Sequence, residues 1–406
     1  MQYRKDKHGE PISVLGYGCM RFITKNGKID EEKAEKEILK AYELGVNYYD
    51  TAYVYTGSEA ALGNILERNS LRDKVNIATK LPQYLISSAK SLDTYFNEEL
   101  QRLKTDHVDY YLMHHLTDDS QWQRLRSLGI EDWIKDKKQK GQIRNIGFSY
   151  HGNSEMFIKI LEDYDWDFAQ VQYNYLDENT QAGRKGVEKA HALGIPIIIM
   201  EPLRGGKLVN LLPQNAKKLI QENEKKYSPA EWGLRWLFDQ ESVTCVLSGM
   251  NSLEMVEENC RIASQSQPNS FTEEDFAFIA KIIDEIRANE KVGCTGCRYC
   301  MPCVKGIDIP GTFAAYNRMY TESKHDGRFQ YAQTVALRKD VSFASACIRC
   351  GKCESHCPQS IPIREKLQEA DKALRPLPYK IGINIARAFL LRGSKQLIFF
   401  SAKAEI

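Results

Sequence analysis

The chain has 406 residues, 42% hydrophobic and 27% charged, the proportions of a soluble globular protein long enough for two or three domains. Lysine and arginine total 56 against 54 acids, so the net charge of +2 gives no electrostatic reason to expect a nucleic-acid partner. Met1 to Glu10 is polar, and apolar runs such as Ile195 to Met200 are far too short to span a bilayer, so a cytoplasmic protein is expected.

From residue 12 to about 264, short apolar or β-branched runs alternate with longer amphipathic stretches. Strands are predicted to begin near Val14, Val46, Val75, Val108, Ile143, Phe168, Pro196 and Val243. Their mean spacing of about 33 residues is the length of one strand-plus-helix unit. Helical periodicity places helices over Glu31–Leu44, Ser58–Arg68, Ser88–Leu103, Glu131–Lys140, Asn153–Glu162, Thr180–Leu193, Ser228–Phe238 and Ser252–Ala263. Asp30 is placed to cap the first, and Gly45, Gly141 and Gly194 stand where helix ends want a left-handed residue. Another amphipathic helix, Glu273–Asn289, leads to a domain boundary near Val292.

Eight such units fit an open doubly wound sheet or a closed (β/α)8 barrel. The first run continues as Leu15-Gly16-Tyr17-Gly18-Cys19-Met20, without the third glycine and the helix of a dinucleotide-binding doubly wound sheet. The expected class is therefore α/β, a (β/α)8 TIM barrel over residues 1–291, with reactive residues just past the C-terminal strand ends. Those ends supply Asp50 and Tyr55, then Lys80, then His114 and His115. A tyrosine hydroxyl is a poor acid near neutrality, and a lysine cation beside it favours its ionisation. Tyr55 is thus the expected general acid, with Lys80 beside it, Asp50 as counter-ion and His114 orienting a carbonyl oxygen. Singly, these would be a structural ion pair, a packed aromatic and a core histidine; at successive strand ends they point to an active face.

Of eleven cysteines, eight lie between Cys294 and Cys357, and in a reducing compartment clustered thiols read as metal ligands before disulfides. Cys347-x2-Cys350-x2-Cys353-x3-Cys357-Pro358 is the bacterial ferredoxin ligand run. Cys294-x2-Cys297-x2-Cys300-x2-Cys303 shares its three-cysteine core, with a short last step and no following proline. With crossed ligation, one [4Fe-4S] cluster takes Cys294, Cys297, Cys300 and Cys357, and the other Cys347, Cys350, Cys353 and Cys303. Zinc or a single cluster are the alternatives. The 43 residues between Cys303 and Cys347 exceed a small ferredoxin's hairpin and contain a helical pattern at Phe313–Thr321. A small, mostly α-helical ferredoxin-like iron–sulfur domain is therefore expected over 292–371. A basic amphipathic tail follows over 372–406, read as a helix docked on the body, with contact to a membrane surface as the lesser alternative.

The chain resembles the aldo/keto reductases, specifically the branch with a C-terminal iron–sulfur domain. The resemblance rests on Leu15-Gly16-Tyr17-Gly18, Asp50-Thr51-Ala52 with Tyr55, Ala78-Thr79-Lys80, Leu112-Met113-His114, Ile146-Gly147-Phe148-Ser149, Val171-Gln172-Tyr173-Asn174, Pro202-Leu203 with Gly205-Gly206, and Ser248-Gly249-Met250 leading to Glu258-Asn259. It implies Asp50, Tyr55, Lys80 and His114 as a catalytic tetrad, and Ser149 and Gln172 as holders of the nicotinamide carboxamide. It also implies Pro202, Leu203, Gly205 and Lys207 around the diphosphate, with Ser248, Gly249, Asn251, Glu258 and Asn259 near the adenosine. Met200 stands where many members stack an aromatic ring on nicotinamide, and His115 replaces a frequent aromatic as pocket wall. Ser248–Ser252 carries no basic residue, so Arg204 and Lys207 are the candidates for phosphate contact, and NADP(H) or NAD(H) would serve. The expected activity is hydride transfer between a small carbonyl or alcohol substrate and NAD(P), with the clusters serving electron transfer, sensing or structure. A ferredoxin-like or flavin electron-transfer protein is a further expected partner. The alternative, motivated by eight ligands kept beside a self-sufficient barrel, is an iron–sulfur electron-transfer or redox-sensing protein whose barrel only binds nucleotide; direct exchange between a hydride carrier and single-electron clusters is awkward without a flavin.

Overall fold

A computed structural model describes residues 1–357 and 359–392, without the side chains of 389–392. The chain opens with a hairpin, β1 (Tyr3–Lys5) and β2 (Pro11–Ser13), then β3 (Leu15–Gly18) and a second small hairpin, β4 (Thr24–Lys25) and β5 (Lys28–Ile29). There follow β6 (Tyr48–Asp50), β7 (Asn76–Leu81), β8 (Val108–Leu116), β9 (Ile143–Tyr150), β10 (Phe168–Gln172), β11 (Ile197–Met200) and β12 (Cys245–Ser248). Strand β3 and the seven from β6 to β12 pair in parallel in chain order, and β12 closes on β3. This is the expected (β/α)8 barrel, with all eight expected strands in place.

Glycine and capping chemistry set the punctuation. Asp30 accepts from the Lys33 amide at the start of the helix Glu31–Glu43, and Gly45, Gly141 and Gly194 take φ of +93°, +70° and +67° after their helices. The barrel interior is filled by Ile12, Tyr48, Ala78, Tyr110, Leu112, Phe168, Ile198, Cys245 and Leu247. A second, larger apolar layer joins strands to the outer helices, and the helix Glu273–Arg287 adds Ile279, Ile282 and Ile286 to it. That helix thus belongs to the barrel. At the N-terminal end, β1 and β2 plug the barrel, where Asp6 accepts from the Tyr110 hydroxyl at 2.8 Å.

The second domain is helical and has a core of its own, including Val292, Ile307, Phe313, Tyr331, Leu367, Leu374 and Ile383. Its helices are Ile309–Thr321, Lys324–Tyr331, Lys352–Ser355, Ile363–Leu374 and Leu377–Arg392, with a π-helical turn at Ala332–Ala336. The chain is pinned near Val292, where Asn317 accepts from the amides of Lys291 and Val292 and donates to the Val292 carbonyl. Ile363–Leu374 runs through residue 372, so the last helix begins only at Leu377. That helix is docked: Ile383 is buried and Arg387 donates to the Ala336 carbonyl at 2.7 Å. Residues 393–406 of the expected tail lie outside the described residues, and no described helix is long and apolar enough to cross a membrane.

This domain sits across the C-terminal mouth of the barrel. The loop after β11 meets the second domain through Arg204, which donates to Glu322 at 2.6 Å, and through Lys207, which contacts Glu322 at 2.9 Å and Asp326 at 2.5 Å. Arg298 reaches Glu155 at 2.7 Å, and Asn179 donates to the Thr295 carbonyl at 3.1 Å.

Candidate functional site

Strand β6 ends on Asp50 and β7 carries Lys80, and adjacent parallel strands bring both to one side of the mouth. The Lys80 ammonium lies 2.6 Å from Asp50 Oδ1 and 2.6 Å from the Thr51 carbonyl, with all three residues buried. Gln170 on β10 donates to the other Asp50 oxygen at 2.9 Å. Lys80 Nζ stands 5.1 Å from the centre of the Tyr55 ring, and His114 at the end of β8 packs edge-on to that ring at 6.1 Å. The four expected catalytic residues are thus brought together.

Their electrostatics differ from expectation at one point. Burial pushes the Tyr55 phenol above its ordinary range; Lys80 pulls it down, but Asp50 adds to the rise and the balance stays upward. The expected lowering by lysine is overcome because the phenol is buried and the cation is already matched by a carboxylate. Burial would discharge Lys80, yet Asp50 and Tyr55 hold its pKa above the usual value. His114 is driven far below its ordinary range by burial, then by Lys80 and the neighbouring His115 and His151. The resting site is a protonated phenol, an ammonium and a neutral imidazole.

The expected cofactor residues ring the remaining mouth. Ser149, one residue before the end of β9, accepts from the His115 amide at 2.7 Å; Gln172 ends β10 and donates to Asp177 at 3.0 Å. Asn259 donates to Ser248 at 3.0 Å, fixing the turn after β12 that carries Gly249 and Asn251, and Glu258 accepts from Ser228 at 2.8 Å. Pro202 and Leu203 lead into Gly205 and Gly206, which take φ of +64° and +89°. Met200 is partly buried against the barrel interior. Arg204 and Lys207 are both engaged: besides Glu322 and Asp326, Arg204 forms a bidentate pair with buried Asp177.

Arg21 was not legible as a site residue. A Cβ on Gly205 would come within 2.8 Å of its guanidinium and one on Gly249 within 3.2 Å of its stem, so the side chain lies across both loops. It forms no ion pair with another described residue. Gln170, the second partner of Asp50, was missed as well.

In the second domain, Cys300, Cys303, Cys347, Cys350 and Cys353 line one cavity of about 310 Å³. Cys294 is pushed up to about 11 by burial, with Cys297 and Cys357 among its charged neighbours. Burial likewise takes Cys300 to about 12, next to Cys294, Cys297 and Cys353. The eight thiols are soft donors of the kind that hold iron–sulfur clusters. Among the described residues, no three His, Cys, Asp or Glu are gathered tightly enough for a single ion.

A closed parallel barrel with this mouth and a cysteine-rich helical domain defines a two-domain oxidoreductase. The family model of the aldo/keto reductases matches residues 14–284, and that of the 4Fe-4S dicluster domain matches 293–361. The chain belongs to the aldo/keto reductase family and carries a C-terminal 4Fe-4S domain. It is 25% identical over 291 residues to an uncharacterised oxidoreductase of Bacillus subtilis, which spans 62% of this chain and 88% of that one. It is 24% identical over 301 residues to an L-galactose dehydrogenase of Arabidopsis thaliana, 69% of this chain and 93% of that one. An L-glyceraldehyde 3-phosphate reductase of Escherichia coli is 23% identical over 307 residues, 64% and 86% respectively. The holo form of an aldo-keto reductase from Bacillus halodurans shares the barrel, with a TM-score of 0.58 and 24% identity over 70% of this chain and 96% of that one.

Proposed function

We propose that the protein interconverts a small carbonyl compound and its alcohol at the barrel mouth with a nicotinamide cofactor, NADP(H) or NAD(H). The observation that carries this reading is the buried Lys80, held by Asp50 and Thr51 and facing the Tyr55 ring at 5.1 Å. When bound, the nicotinamide supplies or accepts the hydride. In the reducing direction the Tyr55 hydroxyl gives its proton to the carbonyl oxygen, and the Lys80 ammonium stabilises the phenolate left behind. Asp50, itself fixed by Gln170, keeps that ammonium in place, and neutral His114 directs a ring nitrogen at the carbonyl oxygen. The resemblance gives Ser149 and Gln172 to the carboxamide, Pro202, Leu203 and Gly205 to the diphosphate, and Ser248, Gly249, Asn251, Glu258 and Asn259 to the adenosine end. With Arg204 and Lys207 matched by carboxylates, Arg21 is the cation left over the groove for the phosphates. Tyr55→Phe should cut carbonyl turnover by at least a hundredfold while nicotinamide binding, followed by its fluorescence, persists; unchanged turnover overturns the assignment.

In the second domain two [4Fe-4S] clusters, held by Cys294, Cys297, Cys300 and Cys357 and by Cys303, Cys347, Cys350 and Cys353, would supply single-electron chemistry. One observation favours electron exchange with a carrier protein. Around the cavity, Tyr299, Val304 and Ile348 are 68%, 56% and 57% exposed beside exposed Lys305 and Arg349, an apolar and basic collar suited to an acidic ferredoxin-like or flavin protein. On this second reading the clusters carry the chemistry and the barrel serves as a nucleotide-binding body.

A further inference from the structure

The last described helix, Leu377–Arg392, has one face accounted for and one left over. On its inner side Ile383 is buried in the core of the second domain, the Arg387 guanidinium donates to the carbonyls of Ala336 and Lys339, and the Tyr379 ring lies 5.0 Å from the Arg328 guanidinium. On the outer side stand Leu377, Ile381 and Ile385, 72%, 54% and 51% exposed. Residues four apart lie one above the other on a helix, so these three form a single stripe, and at about 3.6 residues per turn it lies roughly opposite Ile383. Scattered exposed apolar side chains are ordinary on a protein surface, whereas a continuous stripe marks a surface that meets something apolar.

Charge identifies what it meets. From Lys372 onward the sequence holds seven basic residues against Glu405 alone. Taking these eight from the totals of 56 and 54 leaves 49 basic against 53 acidic residues ahead of them, so the small positive charge of the chain conceals an acidic body and a strongly basic end. Arg375 is matched by Asp371 at 3.0 Å and Arg387 turns inward, but Lys372 and Lys380 are exposed and form no ion pair with another described residue. Beyond Arg392 the sequence places Leu397-Ile398-Phe399-Phe400 between Lys395 and Lys403.

A second copy of the chain on this face would set one basic end against another, and like charges brought together disfavour pairing. An anionic lipid surface accepts both features at once: its headgroups attract lysine and arginine, and its interfacial layer takes an apolar helix face lying in the membrane plane. No described helix is long and apolar enough to cross a bilayer, so the contact would be peripheral.

We propose that the helix Leu377–Arg392 and the sequence after it form a binding surface for anionic phospholipid membranes, with Leu377, Ile381 and Ile385 entering the interfacial layer and Lys372 and Lys380 meeting the headgroups. Because this helix packs on the core of the iron–sulfur domain, that domain is the one brought to the bilayer. The test is cosedimentation of the cluster-loaded, full-length protein with two kinds of vesicle, phosphatidylcholine alone and phosphatidylcholine with about a third phosphatidylglycerol. Binding to the mixed vesicles should be at least tenfold tighter and should weaken as salt is added. Ile381→Ser with Ile385→Ser, which leaves every charge in place, should weaken it at least tenfold, with far-UV circular dichroism and cluster absorbance unchanged. Lys380→Gln should weaken it about fivefold, the worth of one cation near an anionic surface. No vesicle binding, binding that ignores lipid charge, or binding that survives the two serines overturns the proposal. A concentration-dependent dimer that the serines dissociate, with no vesicle binding by the wild type, would overturn it too and assign the stripe to a second copy.

Discussion

Histidines 115 and 151 remain uncharged in the folded protein, held at about 3 and about 4 by burial, whereas an unfolded chain protonates a histidine near 6.5. Between those values the unfolded state binds more protons, so stability is full above pH 6.5 and falls as pH drops below it. At about 1.4 kcal/mol per pH unit for each ring, acidification from pH 6.5 to 5 should remove roughly 2 kcal/mol per histidine. All five tryptophans lie in the barrel, so their fluorescence reads barrel unfolding directly. Guanidinium titrations at pH 7 and pH 5 should show this loss in the wild type, and a variant with both residues changed to asparagine should lose less, keeping the share of buried His114. Equal acid sensitivity of the two proteins would mean that the rings are not kept neutral. At this scale the catalytic residues were legible, because strand ends collect them. The left-handed backbone of His115 was not, since it depends on a slip of the ladder between Met113 and Leu116, and the engagement of Arg204 was not, since its partner Glu322 lies 118 residues away.

The helix Ser58–Arg68 crosses the C-terminal end of Ala89–Leu103 at Gly63, where a Cβ would stand 2.6 Å from the Arg102 carbonyl oxygen and 2.7 Å from Leu103 backbone atoms. Two effects compete in Gly63→Ala. Alanine improves helix propensity by about 1 kcal/mol. The clash is with backbone that cannot rotate away, and forcing elements apart costs about 1–3 kcal/mol. The clash should prevail and lower the melting temperature; a raised melting temperature would show that the two helices separate freely. Elements with strong apolar periodicity were readable, which covers all eight barrel strands and the helices that follow most of them. The helix Asp119–Ser127 is absent from the expected helices because its sequence is largely polar, with only Trp122 and Leu125 buried among its apolar residues. Its start is set by Asp118 and Gln121 in a capping box, a local signal that the apolar pattern does not carry.

Across the whole molecule, the question is whether electrons pass between the barrel and the cysteine domain. An anaerobic titration with NADPH and then NADH, watching the nicotinamide band and the visible absorption of the clusters, separates the two readings. A self-contained reductase oxidises nicotinamide only when a carbonyl is added, with the clusters unbleached. Bleaching without any carbonyl would instead favour electron exchange and a search for a flavin. The order of the two domains could be read from the cysteine spacing and the end of the strand–helix period. Their placement could not, because the contacts that set it join residues far apart in the chain.

Glu322 answers to partners in both domains: Arg204 and Lys207 from the barrel and Arg318 from its own helix. A barrel that lost its companion would keep Arg204 matched by Asp177 but leave Lys207 without the carboxylates that hold it here. Selection therefore acts on these positions jointly, and the identities at 204, 207, 322 and 326 should change together across lineages, so that gain or loss of the second domain leaves a mark in the barrel sequence itself.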